Sequence, residues 1–170
     1  MALVIDRGED ETAVAPITQE EIQSILEAVL ADEGVERTCY VSVTIATDEE
    51  IRAQNLEWRG IDAPTDVISL ECEYPDDPDL GDDEPCELGD IILAPAYTER
   101  QAADFATTPA DEFRIMLVHG MLHLLGYDHL DDEEAQVMEE VENGILASIE
   151  TDAPSLTVEF TRHDEDGDAL

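Results

Sequence analysis

Apolar positions in this chain recur with two different periods, and the changes of period divide it into elements. Ile22, Ile25, Leu26, Val29 and Leu30 repeat at helical spacing, which predicts an amphipathic helix. Thr18 followed by Glu21 supplies a capping box at its start, and Gly34 its stop. The run ALVI over 2–5 predicts a short first strand, and TCYVSVTIAT over 38–47 alternates as a strand does. Asp48 is placed to cap a helix reaching about Trp58, ended by Gly60. TDVISLE (65–71), introduced by Pro64, and LGDIILAP (88–95), closed by Pro95, predict two further strands around the loop YPDDPDLGDDEPCE. Two helices follow, about 109–125, almost wholly apolar from Ile115 to Leu125, and about 131–149. SLTVEF (155–160) is compatible with a strand, and the tail ends in HDEDGDAL. Strands and helices in irregular order, without an internal repeat, predict an α+β fold. The expectation is a single domain over 1–151, with a small mixed β-sheet packed with helices, and an acidic, mobile tail over 152–170.

Composition adds one unusual constraint. Forty-five acids stand against seven basic residues, all arginine, for a net charge of −38. Such a chain repels itself and repels polyanions at low ionic strength. Two readings fit: adaptation of a whole proteome, to salt or to few lysine codons, or an acidic surface for a basic protein partner. Cys39, Cys72 and Cys86 form no CxxC pair and are odd in number, which fits a reducing compartment. No run approaches the roughly 18 apolar residues of a membrane span, and MALVIDRGEDE lacks a basic segment ahead of a long apolar one. A soluble, cytoplasmic protein without membrane contact is expected.

The chemistry gathers in HGMLHLLGYDH, residues 119–129. His119 and His123 are one helical turn apart and share a face. Gly126 can end the helix in a left-handed conformation, and His129 then arrives from the turn as a third ligand. Three nitrogen donors leave a fourth tetrahedral position open, the catalytic pattern for zinc rather than the structural one. Tyr127 and Asp128 are placed as outer contacts. His163, alone in the acidic tail, reads as exposed and inert. Gly120 occupies the position where zinc proteases of this spacing carry their glutamate base. A site without that base suits a phosphodiester, whose transition state calls for a cation. Arg59 is the candidate; as an arginine at a helix end, its ordinary role is to partner the last carbonyls.

HGMLHLLGYDH, with NLEWRGIDAPTDVIS and LGDIILAP upstream in that order, resembles the YbeY family of bacterial rRNA-maturation endoribonucleases over roughly residues 18–150. The resemblance implies an α+β fold with one zinc ion on His119, His123 and His129. It further implies metal-dependent cleavage of single-stranded RNA, in processing of the small-subunit rRNA precursor and in ribosome quality control, with His119 and Arg59 as catalytic residues. Thr65, Asp66 and Ser69 are candidates to orient substrate, or to form the turn and strand that place Arg59. The chain departs from the family where Ser69 is followed by Leu70 and Glu71 rather than Phe-Pro, and in its acidic 71–87 loop. The alternatives are a non-catalytic ribosome assembly factor with a structural metal, docked on a basic ribosomal protein, and a divergent metalloprotease, which Gly120 disfavours.

Overall fold

In the computed structural model of the chain, residues 2–6, 13–128 and 131–149 are described. The expectations for SLTVEF, His163 and the 152–170 tail fall outside them, as does His129. Among the described residues nine elements follow in the order β1 (Ala2–Asp6), α1 (Gln19–Asp32), β2 (Cys39–Ile45), α2 (Asp48–Arg59), β3 (Val67–Glu71), β4 (Cys86–Leu93), α3 (Pro95–Asp104), α4 (Pro109–Leu124) and α5 (Asp132–Ser148). The four strands form one mixed sheet in the order β1-β2-β4-β3. β1 and β4 flank β2 in parallel, and β3 lies antiparallel to β4 at the edge. This is the α+β architecture with a small mixed sheet that the strand and helix order predicts.

Alternation places the core. β2 is buried at every second residue, so Val41, Val43 and Ile45 face one side, where they join Val67, Ile91, Leu93 and the apolar sides of α1, α4 and α5. The register slips between Tyr40 and Val41 so that Leu88 is an extra residue on β4. That bulge lets Cys86 and Leu88 point into the same core as Ile91 and Leu93, two apolar sets of opposite parity. On the other side of the sheet a smaller cluster, Ala46, Ile51, Ile68, Ile92 and Ala94, lies under α2. α4 is the central helix: every residue from Asp111 to Leu124 is buried, between the sheet and its helical neighbours α1, α3 and α5. Each large apolar side chain so buried contributes roughly 1.5–3 kcal/mol. No helix among the described residues is long and apolar enough to cross a membrane.

Three local expectations change. Thr18 accepts from the Glu21 amide as predicted, but the Glu21 carboxylate pairs with Arg114 of α4 (2.5 Å) rather than closing a capping box. The capping box lies instead on α2, where Thr47, not Asp48, is the N-cap, and Glu50 reaches back to the Thr47 amide. Pro95 does more than end β4. It is the first residue of an additional helix, α3, which carries no apolar stripe to announce it; proline at that position gives up an amide that has no helical partner anyway.

Candidate metal centre

The centre is built at the end of α4. His119 and His123 occur one turn apart on a helix that is buried on all sides, and their side chains are 1% and 4% exposed. Their Nε2 atoms face each other at 3.0 Å, with the rings nearly perpendicular. On its other edge His119 presents Nδ1 to the Glu142 carboxylate of α5, itself buried. A neutral imidazole that donates its Nδ1–H to such a carboxylate keeps its lone pair on Nε2, the atom that here faces His123. Two imidazole nitrogens so placed can share one hydrogen bond, or both can bind one cation. Bonds of about 2.0–2.1 Å at a tetrahedral angle place two such nitrogens roughly 3.3 Å apart, close to the separation found, so the pair fits a zinc ion. Among the described residues no group of three His, Cys, Asp or Glu side chains converges as a metal site; His129 lies outside them.

α4 ends at Leu124, Gly126 takes φ +102°, and the Gly126 and Tyr127 amides return to the carbonyls of His123 and Leu122. The chain is thus turned back beside His123. Tyr127 packs against the main core. Its burial, and then the Glu33 carboxylate beside its hydroxyl, push the phenol up to about 12, so it stays protonated at neutral pH and its hydroxyl serves the end of α1. Asp128 follows in the same turn, half-buried, lining an open cavity with Asp131, Glu133 and Glu134.

Gly120 explains itself by packing. A Cβ there would stand 3.1–3.2 Å from Ile91 Cγ2, Ser69 Oγ and Val67 Cγ2. The residue after His119 therefore faces the sheet at close approach, where a side chain would have to push these atoms aside. A glutamate at that position would enter β3 and β4, not the space before the histidines. Ser69 holds this contact together by donating to the Gly120 carbonyl at 3.1 Å.

Arg59, the last residue of α2, is half-buried. It donates to Asn55 Oδ1 (3.3 Å) and to the carbonyl of Val67 (3.1 Å), the residue whose side chain meets Gly120. Its guanidinium is thus fixed at the start of the edge strand that packs on α4. Asp66 is buried: Oδ1 accepts from the Val67 amide (2.7 Å) and Oδ2 from Gln101 of α3 (3.1 Å), while Thr65 donates to Oδ1. Thr65 and Asp66 therefore brace the entry to β3, and Ser69 braces α4. Arg37, Arg52, Arg100 and Arg114 are also engaged: Arg37 with the carbonyls of Pro75, Gly81 and Glu84, Arg52 with Asp62, Arg100 with Asp48, and Arg114 with Glu21 and Asp111. Of these arginines, Arg37 lines an open cavity, and it does so beside Glu33, Glu36 and Asp76.

Glu142 is the site residue that sequence reasoning missed. The signal was present: Ala135, Met138, Ile145 and Leu146 mark the buried face of α5, and Glu142 interrupts that face at helical spacing.

Comparison with known proteins finds similarity over most of the chain. The family model described as Endoribonuclease YbeY matches residues 5–150. A Bacillus velezensis protein named Endoribonuclease YbeY is 43% identical over 141 residues, covering 81% of this chain and 90% of its own. One of the same name from Bacillus licheniformis is 40% identical, over 81% of this chain and 89% of its own. The solution structure of TM1509 from Thermotoga maritima superposes with a TM-score of 0.57 at 25% identity, covering 91% of this chain and all of that one.

Proposed function

The chain belongs to the YbeY family of endoribonucleases, and on that premise we propose that it cuts single-stranded RNA with the help of one zinc ion. The work is maturation of the small-subunit rRNA precursor and ribosome quality control, in the cytoplasm. The observation that carries the chemistry is the pair of buried imidazoles with facing Nε2 atoms, one of them backed by a buried carboxylate. His119 and His123 would hold the ion, with His129 as the third ligand. A cation bound there supplies Lewis-acid stabilisation for negative charge developing on the phosphoryl oxygens.

The chain's own residues supply position and fixed charge. Anchoring at Asn55 and Val67 prevents the Arg59 guanidinium from relaxing away, so its charge meets the transition state without reorganisation. Gly120 weighs against the protease reading, since a side chain at the position of the missing base would have to displace atoms of Ile91, Val67 and Ser69 at 3.1–3.2 Å.

One observation favours a second reading. A net charge of −38, with each described arginine already engaged, suits docking on a basic ribosomal protein, with the metal as a structural knot. One experiment separates the two. A small-subunit rRNA precursor fragment is incubated with wild type and with His123→Ala from identical preparations, with and without a chelator. Cleavage by the wild type alone, stopped by chelation, is expected. Equal cleavage by both proteins, or by neither, would remove catalysis and leave the docking factor.

A further inference from the structure

We infer that Glu142 is a positioning residue for the cation site: it accepts the Nδ1 proton of His119 and so commits the Nε2 lone pair of that ring to the ion. The inference rests on the reading of His119 and His123 as cation ligands, and extends it to the helix that follows them.

Its ground is the placement of Glu142 on an otherwise apolar face. Ala135, Met138, Ile145 and Leu146 enter the core from α5, and Glu142 enters with them, 1% exposed. A carboxylate taken from water costs several kcal/mol unless it is paired and hydrogen-bonded. Leucine or methionine would fill the same space without that cost. There the carboxylate meets Nδ1 of His119. An imidazole carries one proton when neutral, so an acceptor on Nδ1 decides which nitrogen is left to bind a ligand. The nitrogen left is Nε2, the atom that faces Nε2 of His123. α5 is packed on α4, so the orientation of the His119 ring is set by a helix 23 residues further along the chain. A carboxylate behind a ligating histidine fixes its tautomer and orientation and raises its basicity, and its loss ordinarily weakens metal binding 10–100-fold.

The test measures zinc binding and proton position rather than cleavage. The full chain is titrated with zinc against a chromophoric chelator, as wild type, Glu142→Met and Glu142→Gln. Methionine keeps the volume and removes the acceptor; glutamine keeps both. Glu142→Met should bind zinc about 10–100-fold more weakly, and Glu142→Gln should recover most of that loss. In the zinc-loaded wild type, nitrogen-edited proton spectra should show the His119 proton on Nδ1, shifted downfield and slow to exchange. Zinc affinity unchanged in a folded Glu142→Met overturns the inference. So does a wild-type spectrum with the proton on Nε2, which needs no variant to fold. Equal weakening of both variants with a matching fall in thermal midpoint would make Glu142 a packing residue only. A wild type that binds no zinc fails differently: it overturns the ligand reading itself, and this inference with it.

Discussion

An arginine at the end of a helix has an ordinary task, answering the last carbonyls, and Arg59 departs from it. Its guanidinium turns to Asn55 Oδ1 and across to the Val67 carbonyl of β3. Both contacts use the planar fork of arginine, which an ammonium cannot copy. Arg59→Lys and Arg59→Ala should therefore both lower kcat on an RNA substrate by about 10²–10³-fold, as loss of a preorganised charge does. KM should move far less. A steady-state series that shows full kcat with reduced thermal stability would reduce Arg59 to a brace between α2 and β3. At this scale the sequence was readable where spacing carries the message. His119 and His123 declare themselves by being four apart. Glu142 did not, because its partner lies on another helix and only the broken apolar face of α5 points to it. Nor did Arg114, whose pairing with Glu21 joins residues 93 apart and takes Glu21 away from the cap its local sequence suggests.

Elements were legible as far as their periodicity was local. The apolar stripe of α1 and the alternation of β2 sit where the pattern puts them, because each buries one face against a single neighbouring layer. α3 is different: its buried residues include Thr98 and Gln101, polar groups that pack beside α4 and near Asp66. The bulge in β4 was equally hidden, since two alternations of opposite parity read as one apolar run. Within the helices, glycine offers a direct test of packing against propensity. Gly144 in α5 has open space where a Cβ would go, whereas Gly120 in α4 has three atoms at 3.1–3.2 Å. Alanine is worth about 1 kcal/mol over glycine in a helix interior, and forcing an extra carbon into a filled core costs about 1–3 kcal/mol. Gly144→Ala should raise stability by up to about 1 kcal/mol, and Gly120→Ala should lower it by about 1 kcal/mol or more, net of the helix gain. Urea denaturation of the two variants reads this as midpoints moving in opposite directions. Two midpoints that both rise would mean that Ile91, Val67 and Ser69 give way freely, and that sheet contact does not explain the glycine after His119.

For the whole molecule the controlling quantity is charge. The core and the paired histidines are sealed within a chain of net charge −38, whose described arginines are engaged with carboxylates, carbonyls and an amide oxygen. Most nucleic-acid-binding proteins lose affinity as salt rises, because lysines and arginines that displaced counterions no longer gain by it. In a chain of this charge the balance should reverse, because few phosphate contacts are available to lose and repulsion between two polyanions should outweigh them. Salt screens that repulsion: the Debye length falls from about 10 Å at 0.1 M to about 3 Å at 1 M. The same screening relieves self-repulsion among the acids, so stability and substrate capture should move together. Thermal midpoint and the rate of rRNA-fragment cleavage, each followed in KCl from about 0.1 to 1 M, should both rise. The His123→Ala protein separates the two effects, since its midpoint should climb like that of the wild type while cleavage stays absent. A cleavage rate that falls steeply over this range would mean that RNA is held by ion pairs after all. The arginines would then have to exchange their protein partners for phosphate, and the acidic surface would be a cost borne for some other partner.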